Sequence, residues 1–171
     1  NARIHIDSAY GGYFKLSGKL NTWERKQFDL THEADSLVID PHKHGMQPYG
    51  CGCILFKNPE VGRFYKHDSP YTYFSSNDLH LGEISLECSR PGAAAVALWA
   101  TQKQFPLIAN GDFAANLDDC LQAAKELYMM LKLSDKFFTF FPPSLDIVLW
   151  APKGNSFSAI SESSQMLFDA C

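Results

Sequence analysis

Short apolar runs in the first third of this chain are separated by longer polar segments. Alternating isoleucines in "ARIHID" predict a first strand that ends at Asp7, and near-continuous apolar runs in "SLVID" and "CGCILF" predict two strands of a sheet buried on both faces. The segment "NTWERKQFDLTHEA" lies between the first and second predicted strands. It is polar and is expected to be weakly helical. Residues 57–83 are polar and aromatic, and they predict a long functional or mobile loop.

The remainder of the chain is dominated by helical patterns. "PGAAAVALWATQKQF" begins with a proline suited to a first helical turn and carries little polar surface, which predicts a buried helix. "FAANLDDCLQAAKELYMMLKL" has the spacing of an amphipathic helix. "DKFFTFF" and "LDIVLWAP" predict two strands or a hairpin, and "SAISESSQMLFDA" predicts a last helix. Strands that alternate with helices in this way are typical of an α/β protein with a largely parallel sheet.

Composition narrows the class of protein. With 171 residues, of which 46% are hydrophobic, the chain can bury a core. No apolar run reaches the roughly 18 residues of a membrane-spanning helix, so we expect a soluble, cytoplasmic protein without a membrane partner. The net charge is −4 and the basic residues are scattered, so nucleic acid is not an expected partner.

Five cysteines are present, an odd number, and their spacing does not match a zinc site. We therefore expect buried free thiols and no bound metal. The chain begins without methionine directly on a strand and stops without a helix-ending glycine. The expectation is that it is a piece of a larger protein.

Ionisable side chains follow two of the predicted strands. Asp7 ends the first, and Asp40, His42 and Lys43 follow the second. Because ligands of parallel sheets bind at the carboxyl ends of the strands, these residues are expected to form one site. An aspartate facing a buried lysine is consistent with a simple salt bridge. It is also consistent with a lysine that neighbouring cationic groups keep neutral and nucleophilic, as Schiff-base chemistry requires.

Three motifs in this order, "HIDSAYGG", "ADSLVIDPHKHG" and "LECSRPGAAAVALW", resemble the pyridoxal-phosphate-dependent amino-acid decarboxylases. The group in question includes the aromatic-amino-acid, tyrosine and glutamate decarboxylases, and the resemblance runs from residue 3 to about residue 105. It implies an α/β fragment of the large domain of the aspartate-aminotransferase-like (fold type I) fold, with a mostly parallel sheet. Residues 1–135 would be the C-terminal part of that large domain, and residues 136–171 the beginning of the small C-terminal domain.

The resemblance also implies roles for individual residues. Lys43 would form the Schiff base with pyridoxal 5'-phosphate, and Asp7 would pair with its pyridine nitrogen, so that the ring can take up electrons. Ala9 would pack against the ring, and His42 would contact the phosphate or the imine region. The implied reaction converts an L-amino acid into the corresponding amine and carbon dioxide.

Other assignments keep an alternative. Tyr71 or Tyr73, on the long loop, would return a proton to the substrate, or both simply pack. Ser89 would contact the cofactor phosphate of the neighbouring subunit in a homodimer with shared active sites, or would only cap the following helix. His44 is expected to be a turn residue that faces solvent, and Asp40 has no assigned contact with the cofactor.

Two other functions fit the same motifs. One is a carbon–carbon lyase of the phosphosphingolipid-lyase type, and the other is a non-catalytic domain of the same fold. The phosphate-binding turn and the ring-stacking residue of the family have no match in this chain, so we expect the chain alone to be inactive. Which amino acid is the substrate stays open.

Overall fold

The structure, a computed structural model, describes residues 2–67, 80–84 and 92–171. Contacts between residues divide the chain into two compact units. The first unit contains Asn1–Lys15 and Lys26–Pro106, and the second contains Leu16–Arg25 and Leu107–Cys171. The boundary predicted at residue 135 concerns the domains of the family rather than these units, and it stays a prediction.

The described residues form five strands and five α-helices. The strands are β1 (His5–Asp7), β2 (Ser36–Ile39), β3 (Cys53–Phe56), β4 (Phe137–Thr139) and β5 (Trp150–Pro152). The α-helices are α1 (Thr22–Asp29), α2 (Leu81–Ile84), α3 (Ala93–Gln104), α4 (Asp112–Leu133) and α5 (Phe157–Ala170). Short 3-10 helices cover Gly12–Leu16, Leu30–Glu33 and Pro59–Phe64.

The sheet of the first unit has the order β1-β2-β3. β1 runs parallel to β2, with Asp7 opposite Val38, whereas β3 runs antiparallel to β2, with Cys53 opposite Ile39. The prediction of a largely parallel sheet is therefore wrong for the second pair. Residues 40–52 return the chain to the same edge of the sheet, and parallel pairing would have required a crossover to the opposite edge. The carboxyl ends of β1 and β2 do lie at one edge, as predicted.

Burial in the first unit is lower than the apolar sequence predicts. All of β2 is half-buried, and Ile54 and Leu55 of β3 are exposed. Helix α3 forms where predicted, but none of its residues is buried, and Val96 and Trp99 are exposed. An apolar helix becomes buried only when other elements cover every side. Here the half-buried positions 94, 97, 98, 101 and 102 recur on one face only.

The second unit has its core on α4, which was predicted as an amphipathic helix. One face of this helix is buried: Phe113, Ala114, Leu117, Leu121 and Ala124. Helix α4 packs against β4, and α5 packs against β5. β4 and β5 pair antiparallel, with Phe137 opposite Pro152, so the predicted hairpin and last helix are confirmed. The Ser17 hydroxyl donates a hydrogen bond to Asp118 of α4.

The cysteines depart from the expected burial. The four in the described part of the chain carry free thiols, but only Cys51 is buried, whereas Cys120 and Cys171 are exposed. Among the described helices, none combines the length and the apolar character needed to cross a bilayer.

A pair of leucines on α4 tests which face supports the second unit. Leu121 is 1% exposed and Leu133 is 82% exposed. Leu121→Ala should lower the free energy of unfolding by about 2–5 kcal/mol, because it removes buried methyl groups and leaves a cavity. Leu133→Ala should change it by less than about 0.5 kcal/mol. Urea denaturation measures both values, and equal losses would contradict the described core.

Candidate active site

Hydrogen bonds join the segments that follow β1 and β2 beyond the end of the sheet. The backbone N–H and the hydroxyl of Ser8 both donate to the Val38 carbonyl, over 3.1 and 2.8 Å. One step further along, the Asp40 N–H donates to the Ala9 carbonyl over 3.1 Å. The two chain segments therefore leave the sheet side by side, and the residues that follow each strand become neighbours.

Lys43 lies on a tight turn that is anchored in the interior of the first unit. The Lys43 N–H donates to the Asp40 carbonyl over 2.9 Å, and the Gln47 N–H donates to the Pro41 carbonyl over 3.0 Å. Pro41 is fully buried, and Gly45 is buried as well. Main-chain hydrogen bonds and buried residues thus hold the backbone of the turn, and the Lys43 side chain extends from it.

The carboxylate that pairs with Lys43 belongs to Asp40. Lys43 Nζ lies 2.9 Å from Asp40 Oδ2, and the side chains are 35% and 17% exposed, respectively. The sequence left open a simple salt bridge between an aspartate and a buried lysine; in the structure that aspartate is Asp40, and Lys43 is only partly buried. The main-chain hydrogen bond of the turn brings residues 40 and 43 to the same side, where their side chains meet.

His42 is fixed through a single carbonyl. Its backbone N–H and its ring Nδ1 lie 3.1 and 2.8 Å from the Cys51 oxygen. Because a carbonyl oxygen only accepts hydrogen bonds, Nδ1 carries the proton and donates it. The other ring nitrogen, Nε2, lies 3.7 Å from Asp40 Oδ2, beyond hydrogen-bond distance. The ring is thereby oriented beside the Lys43–Asp40 pair.

Asp7 and Ala9 lie at the same edge of the sheet. Asp7 Oδ1 accepts a hydrogen bond from the Ala9 N–H over 3.2 Å. Asp7 is exposed and Ala9 is half-buried. Within the described part of the chain, the second oxygen of Asp7 has no hydrogen-bond or ion-pair partner. It is therefore available to a donor from outside this set of residues.

The sequence predicted that His44 faces solvent, whereas in the structure it packs against neighbouring residues. It is half-buried, and its Nδ1 donates to the Tyr10 carbonyl over 2.9 Å. Its ring packs edge-on against Tyr10 and Phe14, with centroid distances of 4.6 and 4.8 Å. The prediction is wrong because it treated His44 as a polar turn residue whose side chain has no partners in the protein. The aromatic residues in "AYGGYF", shortly after β1, were the sequence signal for such partners.

Gln47 is a second residue that the sequence did not reveal. It is buried, and its Nε2 donates to the carbonyls of Gly45 and Met46 and to the hydroxyl of Thr101, over 3.2, 3.1 and 2.8 Å. Met46 has a φ of 60°, a left-handed conformation that costs a non-glycine residue energy. Gln47 holds this conformation in place and links the turn to α3. A lone glutamine in a turn carries no periodic signal.

The Cys53 thiol, next to the turn, is a poor nucleophile. Burial raises the pKa of Cys53 above its ordinary value, with the neighbouring Cys51 as a smaller cause. Burial also raises the pKa of Tyr13 to about 12, with Cys53 and then Cys51 as lesser causes. Because the thiolate is the reactive form of cysteine, a raised pKa keeps Cys53 in its less reactive thiol form at neutral pH.

The structure thus brings Asp7, Ala9, His42 and Lys43 to one edge of the sheet. Three other residues assigned from the sequence, Tyr71, Tyr73 and Ser89, lie outside the described residues. In the part of the chain that the structure describes, no cluster of side chains could hold a metal ion.

Comparison with known proteins identifies the family. A family model described as the pyridoxal-dependent decarboxylase conserved domain matches residues 1–151. The chain belongs to the pyridoxal-dependent decarboxylases. The L-tyrosine decarboxylase of Enterococcus faecium is 27% identical over 97% of this chain and 34% of its own length. The aromatic-L-amino-acid decarboxylase of Bacillus atrophaeus is 29% identical over 85% of this chain and 30% of its own length.

Solved structures share the fold. A structure of Oryza sativa TDC with PLP and tryptamine covers 99% of this chain with a TM-score of 0.79 and 16% identity. Catharanthus roseus tryptophan decarboxylase in complex with L-tryptophan covers 98% with a TM-score of 0.74 and 19% identity. This likeness confirms the predicted fold class. The chain spans about a third of the length of these relatives, 35% and 33% of the two solved chains.

The residues at the sheet edge fit pyridoxal phosphate, the cofactor of this family. Lys43 supplies a primary amine that extends from the turn. Asp7 supplies a carboxylate oxygen with no partner in the described part of the chain, suited to a protonated pyridine nitrogen. Ala9, with a single methyl group, leaves room for a flat ring.

Two glycines near Lys43 test how tightly the turn is built. A Cβ at Gly45 would lie 2.5 Å from Pro41 Cα and 2.6 Å from the Tyr13 hydroxyl, whereas a Cβ at Gly52 would come no closer than 3.5 Å to Asp40. Gly45→Ala should therefore lower the free energy of unfolding by about 1–3 kcal/mol, the usual cost of overpacking. Gly52→Ala should cost less than about 1 kcal/mol. Thermal unfolding of both variants checks this, and a harmless Gly45→Ala would show that the turn is loose.

Proposed function

We propose that the protein carrying this chain decarboxylates an L-amino acid with pyridoxal phosphate and releases the corresponding amine and carbon dioxide. The observation that carries the proposal is the amine of Lys43, presented on an anchored turn at the sheet edge where Asp7 ends the neighbouring strand. The relatives reported above are named as decarboxylases, which favours this reaction over cleavage of another carbon–carbon bond.

When bound, pyridoxal phosphate supplies an electron sink for the bond that breaks on loss of carbon dioxide. Lys43 binds the cofactor through Nζ, and for this the amine has to leave Asp40. Asp7 accepts a hydrogen bond from the pyridine nitrogen and keeps the proton on that atom by its negative charge.

Ala9 and His42 complete the binding surface around Lys43. The Ala9 methyl packs against a face of the ring, where a larger side chain would displace it. His42, whose ring is oriented by the Cys51 carbonyl, contacts the phosphate or the region of the Lys43 amine. Both residues bind and orient rather than react.

Residues outside the described part of the chain complete the proposal. Tyr71 or Tyr73 returns a proton to the α-carbon of the substrate. The protein acts as a homodimer in which Ser89 of one protomer reaches the cofactor phosphate of its partner. The family resemblance supports these assignments.

The substrate class is open between aromatic and acidic amino acids. Relatives of this chain include an L-tyrosine decarboxylase and, in Aliivibrio fischeri, an aspartate 1-decarboxylase that is 29% identical over 86% of this chain. An assay of amine and carbon dioxide over tyrosine, tryptophan, aspartate and glutamate tests the proposed reaction directly. Cofactor binding without release of either product from these and other amino acids would favour a non-catalytic domain.

The attachment residue is testable without turnover. Borohydride reduction of the full-length protein with pyridoxal phosphate, followed by peptide mass mapping, should place the pyridoxyl group on Lys43. Lys43→Ala should remove this label while the fold, followed by circular dichroism, is kept. A label on Lys57 or Lys66 in the wild-type protein would refute the assignment.

Asp7→Asn removes the charge that holds the proton on the pyridine nitrogen. Decarboxylation should slow by orders of magnitude, since each roughly 1.4 kcal/mol of lost transition-state stabilisation lowers the rate tenfold. Asp29→Asn, an exposed aspartate on α1, is the matched control and should keep wild-type turnover. If Asp7→Asn retained most of the rate of carbon dioxide release, the electron sink would have to be maintained in another way.

A further inference from the structure

Asp40 is connected to the candidate site by its main chain and by its side chain. Its N–H donates to the Ala9 carbonyl and its carbonyl accepts from the Lys43 N–H, over 3.1 and 2.9 Å. Its Oδ2 lies 2.9 Å from Lys43 Nζ and 3.7 Å from His42 Nε2. Asp40 is therefore bonded to the segment that follows β1, pairs with the Lys43 side chain, and lies close to the His42 ring.

The surroundings of Asp40 favour a persistent ion pair. The aspartate side chain is 17% exposed, so water screens its charge only in part. Pro41, the next residue, is fully buried and has a fixed φ, which sets the direction in which the turn leaves Asp40.

Attachment of the cofactor aldehyde to Lys43 is incompatible with the Lys43–Asp40 ion pair. The nitrogen of Lys43 needs its lone pair to attack the aldehyde carbon, so the ammonium first gives up one proton to solvent and leaves the carboxylate. The neutral amine then forms the carbon–nitrogen double bond. The aldehyde oxygen departs as water with the two remaining amine hydrogens.

We propose that Asp40 is a positioning residue that holds the Lys43 ammonium while no cofactor is bound and competes with pyridoxal phosphate for the amine. This inference rests on the proposed function, because it takes Lys43 as the attachment residue. Asp40 thus sets how fast the cofactor-free protein is loaded, whereas Asp7 acts on the loaded cofactor.

The variant Asp40→Asn keeps the size of the side chain and an oxygen acceptor but removes the charge. Mixed with pyridoxal phosphate, the cofactor-free full-length variant should develop the visible absorbance of attached cofactor about two- to fivefold faster than wild type, as expected for a partly exposed ion pair. Asp35→Asn is the matched control. Asp35 precedes the opposite end of β2, where its carboxylate accepts the Ile4 N–H over 2.8 Å, and its replacement should not change the loading rate.

A second readout uses no cofactor. Trace acylation of the cofactor-free proteins with acetic anhydride, followed by mass spectrometry, compares Lys43 with the exposed Lys26 of α1 in the same sample. The ratio of Lys43 to Lys26 acylation should rise in Asp40→Asn and stay unchanged in Asp35→Asn. Lys26 is already exposed and serves as the internal reference for reagent concentration, and a wild-type melting temperature of Asp40→Asn excludes a general loosening of the fold as the cause.

The outcomes separate this inference from the proposed function. Loading and acylation at wild-type values in Asp40→Asn, or an equal increase in Asp35→Asn, would overturn the role of Asp40 while Lys43 remained the attachment residue. Wild-type protein that took up cofactor at another lysine would instead refute the proposed function. If circular dichroism shows that Asp40→Asn does not fold, Asp40→Ser removes the same charge and is held to the same two measurements.

Discussion

The hydrogen bond from the Asp40 N–H to the Ala9 carbonyl is the contact on which the rest of the site depends. It continues the parallel pairing of β1 and β2 by one step beyond the strands, after the two bonds that Ser8 donates to Val38. Without it, the segments that carry Asp7 and Lys43 would diverge as soon as the sheet ended. With it, an acid and an amine from distant parts of the sequence share one edge.

Around this contact, the turn that carries Lys43 is held from several directions. The Cys51 carbonyl holds His42, the Tyr10 carbonyl holds His44, and the Gln47 side chain secures the left-handed Met46. Left-handed backbone outside glycine is energetically costly and persists when its surroundings fix it. The turn therefore presents the lysine from a well-anchored base, and in the proposal above only the Lys43 side chain moves, from Asp40 to the cofactor.

The sequence predicted the type and position of helices and strands better than their pairing, burial and tertiary contacts. Helix α4 and the β4–β5 hairpin were predictable because apolar spacing reports the type of a local element. The antiparallel direction of β3 was not, because pairing depends on the connection outside the strand. The predicted burial of α3 was also wrong, because the apolar character of a helix does not show which other elements pack against it. At the site, the motifs indicated Lys43 and Asp7, but the partners of Asp40, His44 and Gln47 are set by tertiary contacts.

The central claim is that the edge shared by β1 and β2 binds pyridoxal phosphate between Lys43 and Asp7. A crystal structure of the full-length protein with the cofactor tests it most directly. The account predicts continuous electron density from Lys43 Nζ to the cofactor, the pyridine nitrogen within hydrogen-bond distance of an Asp7 oxygen, and Asp40 no longer paired with Lys43. Cofactor density at another lysine, or a pyridine nitrogen with no contact to Asp7, would contradict it.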